Sequence, residues 1–248
     1  MSASKPLEGR VILVTGASRG IGYASAVKMA QQGAHIIAIA RTQGGLEDLD
    51  DAVKAAGSDA TLVPMDLKSP DGLDQLSAII LERWGRLDGL FGNAGLLGDI
   101  MPAQQISPKT FEDVFAVNMT ANYRLIRALD PLLRASENGR ALFVTSGVAQ
   151  THRAYWSAYA ASKAALEAYV SCWAKEIDIT KLRVNLLNPG AVRTAMRGKA
   201  MPGEDGSTLP NPSDVAALVA DMLSPQYEEN DQLVSFRETA YFTPKSLS

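Results

Sequence analysis

A chain of 248 residues with 46% hydrophobic and 21% charged side chains is long enough to bury one sizeable core without disulfides or structural metals. Its formal net charge of −3 leaves no basic footprint for nucleic acid. Two histidines far apart in sequence, His35 and His152, and a single cysteine, Cys172, exclude a zinc motif and an internal disulfide.

A lone cysteine fits a reducing compartment. Cys172 stands in an apolar-periodic stretch and is expected to fill core, because free cysteine is among the most buried residue types. Met1 to Arg10 is polar and lacks the apolar stretch of a signal peptide. No run of about 18 apolar residues occurs, so no membrane span is expected and the cytoplasm is the expected location.

The predicted elements alternate along the chain. Val11–Val14 is a short apolar run, and Ile21–Gln32 follows with helical spacing. His35–Ala40 is the next run, then the helix-like Gly45–Ala56. Thr61–Met65 precedes a helix capped by Ser69 and opened by Pro70, which places Leu73, Leu76, Ile80 and Trp84 on one face and ends at Gly85. Leu87–Phe91 is a further run. Ser107-Pro108 starts a long helical stretch that reaches about Arg134. Ala141–Thr145, Leu182–Leu187 and Gln232–Phe236 complete the strands, with helices near Trp156–Ile179 and Pro212–Leu223. Asn211 is expected to cap the last helix, with Asp214 closing a capping box.

Strands that are apolar throughout are buried on both faces. Their alternation with helices implies right-handed crossovers and a parallel sheet. The expected fold is α/β, a doubly wound Rossmann-type parallel sheet of about seven strands in a single domain over residues 1–248. Arg197–Ser213, with three glycines and three prolines, reads as one long irregular segment and so as a lid over a substrate.

Four strand exits carry chemistry. The first is Thr15-Gly16-Ala17-Ser18-Arg19-Gly20-Ile21-Gly22, placed after a strand and before a helix. Gly16 permits the tight turn, Gly20 lets backbone approach a pyrophosphate at the helix N-terminus, and Gly22 allows close helix–strand packing. Ser146, Gly92-Asn93-Ala94-Gly95 and Asn188-Pro189-Gly190 each follow another apolar run, at the sheet edge where open α/β sheets bind ligands. Tyr159 and Lys163 stand four apart on one helical face, so the ammonium can reach the phenol and lower its pKa from about 10.

In this order and spacing, with Asn118 in Phe115-Ala-Val-Asn118, the 13-residue step from Ser146 to Tyr159, and Val192 and Thr194 after Pro189-Gly190, the sequence resembles a short-chain dehydrogenase/reductase, within a bacterial branch of oxidoreductases. The resemblance implies that Tyr159 is the general acid, Ser146 orients the substrate oxygen, Lys163 tunes Tyr159 and binds ribose, and Asn118 holds a water. It implies cofactor contacts from Gly16, Ser18, Arg19, Gly20, Ile21 and Gly22, and from Arg41, Asp66 and Leu67. Further contacts would come from Asn93, Ala94 and Gly95, from Tyr159 and Lys163, and from Pro189, Gly190, Val192 and Thr194. Two positions depart from the family pattern: Gly92 replaces the first Asn of Asn-Asn-Ala-Gly, and the C-terminus lacks a glycine-ended last strand and runs on into a polar tail.

No Asp or Glu closes Ile36–Ala40, where an NAD-preferring fold holds the ribose hydroxyls. Arg41 follows instead, with Arg19 in the glycine turn, and arginine suits a phosphate. The expected cofactor is therefore NADP. The expected activity is hydride transfer between nicotinamide and a small carbonyl or alcohol substrate, hydrophobic if Leu96, Leu97, Tyr155, Trp156, Met196 and Met201 line its pocket. A dehydratase or epimerase on the same frame, or a non-catalytic NADP-binding sensor, are the alternatives. Apolar positions on the helices Lys109–Arg134 and Trp156–Ile179 point to a homo-oligomer, a dimer or tetramer.

Overall fold

The computed structural model describes residues 5–241; Met1–Ser4 and most of the polar tail, 242–248, lie outside the described residues. Seven strands form one parallel sheet: β1 (Val11–Thr15), β2 (His35–Ala40), β3 (Ala60–Pro64), β4 (Gly89–Gly92), β5 (Arg140–Val144), β6 (Arg183–Asn188) and β7 (Leu233–Ser235), in the order β3-β2-β1-β4-β5-β6-β7. All pairs are parallel, with Ile12 opposite both Ile36 and Gly89 at the centre. The order reverses between β1 and β4, which is the switch point where a doubly wound sheet opens a crevice.

The helices are α1 (Gly20–Gln31), α2 (Gln43–Ala55), α3 (Pro70–Trp84), α4 (Pro108–Phe115), α5 (Ala121–Arg134), α6 (Val148–Thr151), α7 (Ser157–Glu176), α8 (Ala195–Ala200) and α9 (Pro212–Met222). They cover both sheet faces with two cores. Ile12, Val14, Met29 and Val219 belong to one, and Leu13, Leu90, Leu129 and Trp173 to the other. β1 is buried at all five residues because its alternate side chains enter opposite cores.

The N-terminal edge of the sheet is sealed by buried charge. Arg10 donates to Asp88 O at 2.6 Å and Asn138 O at 2.8 Å. The Asp88 carboxylate accepts from Val11 N at 2.9 Å and from the Ser136 hydroxyl at 2.6 Å. Burial lowers the Arg10 pKa, with Asp88 opposing that shift.

Four expectations change. The stretch from Ser107 to Arg134 is two α-helices joined by a π-helical turn, Ala116–Thr120, which holds Asn118. Arg197–Ser213 is irregular only in part: α8 extends into it, Gly206–Thr208 forms a 3-10 turn, and α9 begins at Pro212. The last strand is only three residues long and ends in a 3-10 turn, Phe236–Glu238, whose Phe236 is fully buried in the first core. Cys172 is exposed. The buried stripe of α7 runs through Lys163, Leu166, Val170 and Trp173, and residue 172 lies outside it. In α9 the Asp214 carboxylate does accept from Asn211 N, at 2.7 Å.

Candidate active site

The crevice begins at the glycine turn. The Thr15 hydroxyl accepts from Asn93 N and Ala94 N, both at 3.0 Å, and Asn93 Nδ2 donates to Thr15 O at 2.9 Å. These bonds lock the exits of β1 and β4 together. The interior glycines have no room for a side chain: a Cβ on Gly22 would stand 2.4 Å from Gly16 O, and one on Gly16 would stand 3.0 Å from Ala94 Cα. Gly20, at φ 61°, faces open space with only Thr194 Cγ2 within 4 Å. Arg19 caps α1 without a side-chain bond, and the first turn holds no acid. Free N–H groups and the helix dipole therefore meet the open side of Gly20, an arrangement that favours negative charge. Ser18 packs under the start of α2, 2.8 Å from where a Gly45 Cβ would sit. Ile21 is half-buried, and Arg19 and Arg41 are both exposed.

The second group lies at the exit of β5. Lys163 is 2% exposed, and its ammonium donates to Val144 O at 2.7 Å. It stands 5.9 Å from the Tyr159 ring centroid. Ser146 hydrogen-bonds the Tyr159 hydroxyl, which draws the phenol pKa down, but burial outweighs this and pushes it up to about 12. Burial pushes Lys163 down to about 8, with Glu167 opposing. Burial first, and the Ser146 bond against it, set the direction of the Tyr159 shift, while the Lys163 ammonium is bonded to Val144 O.

Asn118 is buried with its side chain fully engaged. Its Oδ1 accepts from Leu96 N at 2.7 Å, and its Nδ2 donates to Leu96 O and the Ser162 hydroxyl, both at 2.9 Å. It fixes the strand exit 93–96 onto α7, and its side chain has no donor left over for a water. Gly95 lies nearby: a Cβ there would be 3.6 Å from Asn118 Oδ1 and 3.8 Å from Lys163 Nζ and Met196 Cε.

The third group comes from β6. Asn188 Oδ1 accepts from Gly190 N at 3.1 Å, Pro189 and Val192 are buried, and Gly190 is exposed at φ 68°. The Thr194 hydroxyl caps α8 by accepting from Arg197 N at 3.2 Å. Asp66, after β3, accepts from Lys68 N at 3.0 Å and shapes its own turn, with Leu67 buried behind it. Among the expected pocket residues, Leu97 and Trp156 are buried and Met196 and Tyr155 exposed, Tyr155 at 59% and φ 73°. Leu96 and Met201 are half-buried.

The sequence reading missed Glu167 and undervalued Gly92. Glu167 accepts from the Thr145 hydroxyl and, at 2.7 and 2.6 Å, from Gln150 Nε2. At residue 92 a Cβ would stand 2.3 Å from Phe143 Cδ1, so the departure from the family's Asn answers to the bulk of Phe143 on the neighbouring strand. The pairing of Gly92 with Phe143 across β4 and β5 is the signal that could have found it.

Comparisons with known proteins agree with this frame. The short chain dehydrogenase family matches residues 10–205. The uncharacterized oxidoreductase YciK of Escherichia coli K12 is 40% identical over 215 residues, 86% of this chain and 85% of that one. The 2,3-dihydro-2,3-dihydroxybenzoate dehydrogenase of Bacillus subtilis 168 is 30% identical over 90% of this chain and 92% of its own. A short chain dehydrogenase from Salmonella enterica serovar Typhi superposes with a TM-score of 0.91 at 34% identity, covering 96% of this chain and 99% of that one. One from Escherichia coli CFT073, solved in complex with NADPH, gives 0.90 at 36% identity over 94% and 99%. Sequence and backbone agree over nearly the whole length, and the chain belongs to the short chain dehydrogenase family.

Proposed function

We propose that the chain is an NADP-dependent oxidoreductase that moves hydride between nicotinamide and a small carbonyl or alcohol compound. The observation that carries this reading is the pair of hydroxyls, Ser146 and Tyr159, hydrogen-bonded at the C-terminal edge of the sheet with Lys163 buried beside them. The open face of Gly20 fits the cofactor pyrophosphate. The exposed Arg19 and Arg41, with no acid after β2, fit a ribose phosphate, and the NADPH-bound relative is in keeping with that choice. Asp66, Leu67, Asn93, Ala94 and Gly95 would line the adenosine and ribose. Pro189, Gly190, Val192 and Thr194 would hold the nicotinamide end.

When bound, the nicotinamide supplies or takes up the hydride. Tyr159, held protonated by burial, donates its proton to the substrate oxygen in reduction. Ser146 donates a hydrogen bond to the same oxygen and orients it. Lys163 holds the ribose hydroxyls. Its lowered pKa brings its proton exchange close to physiological pH, so it can return a proton to the site. Asn118 keeps Leu96 and α7 in register. A subunit pairing through α4, α5 and α7 completes the reading.

Tyr159→Phe tests it. Positioned acid–base groups contribute roughly 10²–10⁴-fold, so turnover should fall by that range while the NADPH dissociation constant, read by fluorescence, stays put. A variant that keeps a tenth of the turnover would remove Tyr159 from the role.

A further inference from the structure

Three residues of α7 pair one to one with three consecutive residues at the exit of β5. Tyr159, Lys163 and Glu167 recur every fourth residue and so share one helical face. The Tyr159 hydroxyl bonds Ser146. The Lys163 ammonium donates to Val144 O at 2.7 Å. The Glu167 carboxylate accepts from the Thr145 hydroxyl. The first two pairs belong to the proposed chemistry, and the third stands outside it.

Glu167 also reaches the chain beyond Ser146. Gln150 Nε2 donates to its Oε1 at 2.7 Å and to its Oε2 at 2.6 Å. Gln150 belongs to α6, which starts two residues after Ser146 and is only four residues long. A single helical turn has too few internal bonds to hold itself in place. Ala149 N donates to Ser146 O at 2.9 Å, so the turn of α6 is built on Ser146 itself. On the other side, Thr145 N donates to Leu187 O at 2.8 Å and keeps residue 145 in line with β6. One carboxylate thus holds residue 145 before Ser146 and residue 150 after it. A carboxylate offers only acceptors, and both groups that meet it are donors. Thr145 is 1% exposed, so little water competes for its hydroxyl.

A serine carries its hydroxyl one bond from Cβ, so the backbone decides where that hydroxyl can stand. A misplacement of about 1 Å at a reacting centre can cost about 10²-fold in rate. We propose that Glu167 is a positioning residue for Ser146: by holding Thr145 and Gln150 together it sets the backbone from which the Ser146 hydroxyl meets Tyr159 and the substrate oxygen. This rests on the reductase reading for what Ser146 does, and adds what puts it there.

The test reads the contact between Ser146 and Tyr159 on the full chain. The ζ-carbons of its seven tyrosines are isotope-labelled and followed by NMR, and the Tyr159 resonance is the one lost in Tyr159→Phe. Ser146→Ala should displace that resonance. Thr145→Val keeps the shape of the side chain and the charge of Glu167 but removes the donor, and should displace it in the same direction. Thr145→Ser should return it. In the Ser146→Ala background Thr145→Val should have no further effect, a pattern that general loosening of the fold does not produce. For reduction of 4-nitrobenzaldehyde, followed at the NADPH absorbance, kcat in Thr145→Val should fall by roughly ten- to hundredfold, with the NADPH dissociation constant unchanged. A Tyr159 resonance that Thr145→Val leaves in place overturns the proposal, and so does a displacement that persists in full without Ser146. If Thr145→Val does not fold, Gln150→Ala, at an exposed position, is read by the same two outcomes. The expected resonances in a chain that never reduces 4-nitrobenzaldehyde sustain the proposal and count against the reductase reading instead.

Discussion

Glu167 stands one helical turn beyond Lys163 and takes hydrogen bonds from Thr145 and Gln150. Thr145 in turn lies between Val144, whose carbonyl holds the Lys163 ammonium, and Ser146. One carboxylate thus ties the helix to the strand exit and opposes the loss of the Lys163 proton. In Glu167→Gln the ammonium loses that support and deprotonates at lower pH. The alkaline limb of kcat/KM should move down; a half-unit shift is about threefold in the protonated-to-neutral ratio. A pH profile identical to wild type would leave Glu167 a packing residue. The sequence hid this role because an acid four residues from a lysine reads as a surface pair, and only the position of β5 turns it inward. Arg41 is the opposite case: its proposed role is read from the missing acid after β2, and the structure adds that it is exposed. NADPH should be preferred over NADH by at least about tenfold in kcat/KM, a difference of 1.36 kcal/mol. Arg41→Asp should abolish or reverse that preference. Equal efficiency with both cofactors in the wild type would exclude the arginine's role.

Among the elements, apolar periodicity located every strand and most helices to within a few residues, because β1, β2 and β5 are buried on both faces and leave no ambiguity of pattern. The periodicity could not reveal the π turn at Ala116–Thr120. An extra residue in one helical turn leaves composition unchanged, and its cause is tertiary: Asn118 is pulled to Leu96 and Ser162. The segment after Thr194 was misread for a related reason. Its glycines and prolines suggest loop, yet Thr194 caps α8 and Arg197 bonds Glu204 across the turn. The segment should still act as a lid, now as a hinged helix. Trypsin should cut at Arg197 or Lys199 in the free chain. If cofactor binding requires α8 to be seated, cleavage should slow by up to about 100-fold at NADPH 100-fold above its dissociation constant. Equal cleavage rates with and without NADPH would count against a lid.

For the whole molecule, one stretch of exposed apolar surface lies on the helices away from the crevice. Phe111 and Tyr123 are exposed, and a groove of about 330 Å³ between α5 and α7 is lined by Tyr123, Tyr169, Cys172 and Trp173. Exposure of Cys172 on this face is part of the same pattern and argues for a partner subunit. Light scattering at micromolar protein should give at least twice the chain mass, and a monomer mass would refute the pairing. The doubly wound topology was readable from strand–helix alternation alone, whereas the partition of the charged groups between the sheet's two ends was not, since it depends on which loops the fold brings together. At one end the buried Arg10, Asp88 and Ser136, with the Asn138 carbonyl, form a network that belongs to folding. At the other, the exits of β1, β4, β5 and β6 carry the proposed chemistry. Substitutions in mouth loops that avoid Thr15, Asn93 and Asn118 therefore spare the bonds that hold the strands, and substitutions at the base spare the mouth. Across generations, a lineage built on this frame can exchange its substrate by drift in a few exit loops while inheriting its thermal tolerance intact.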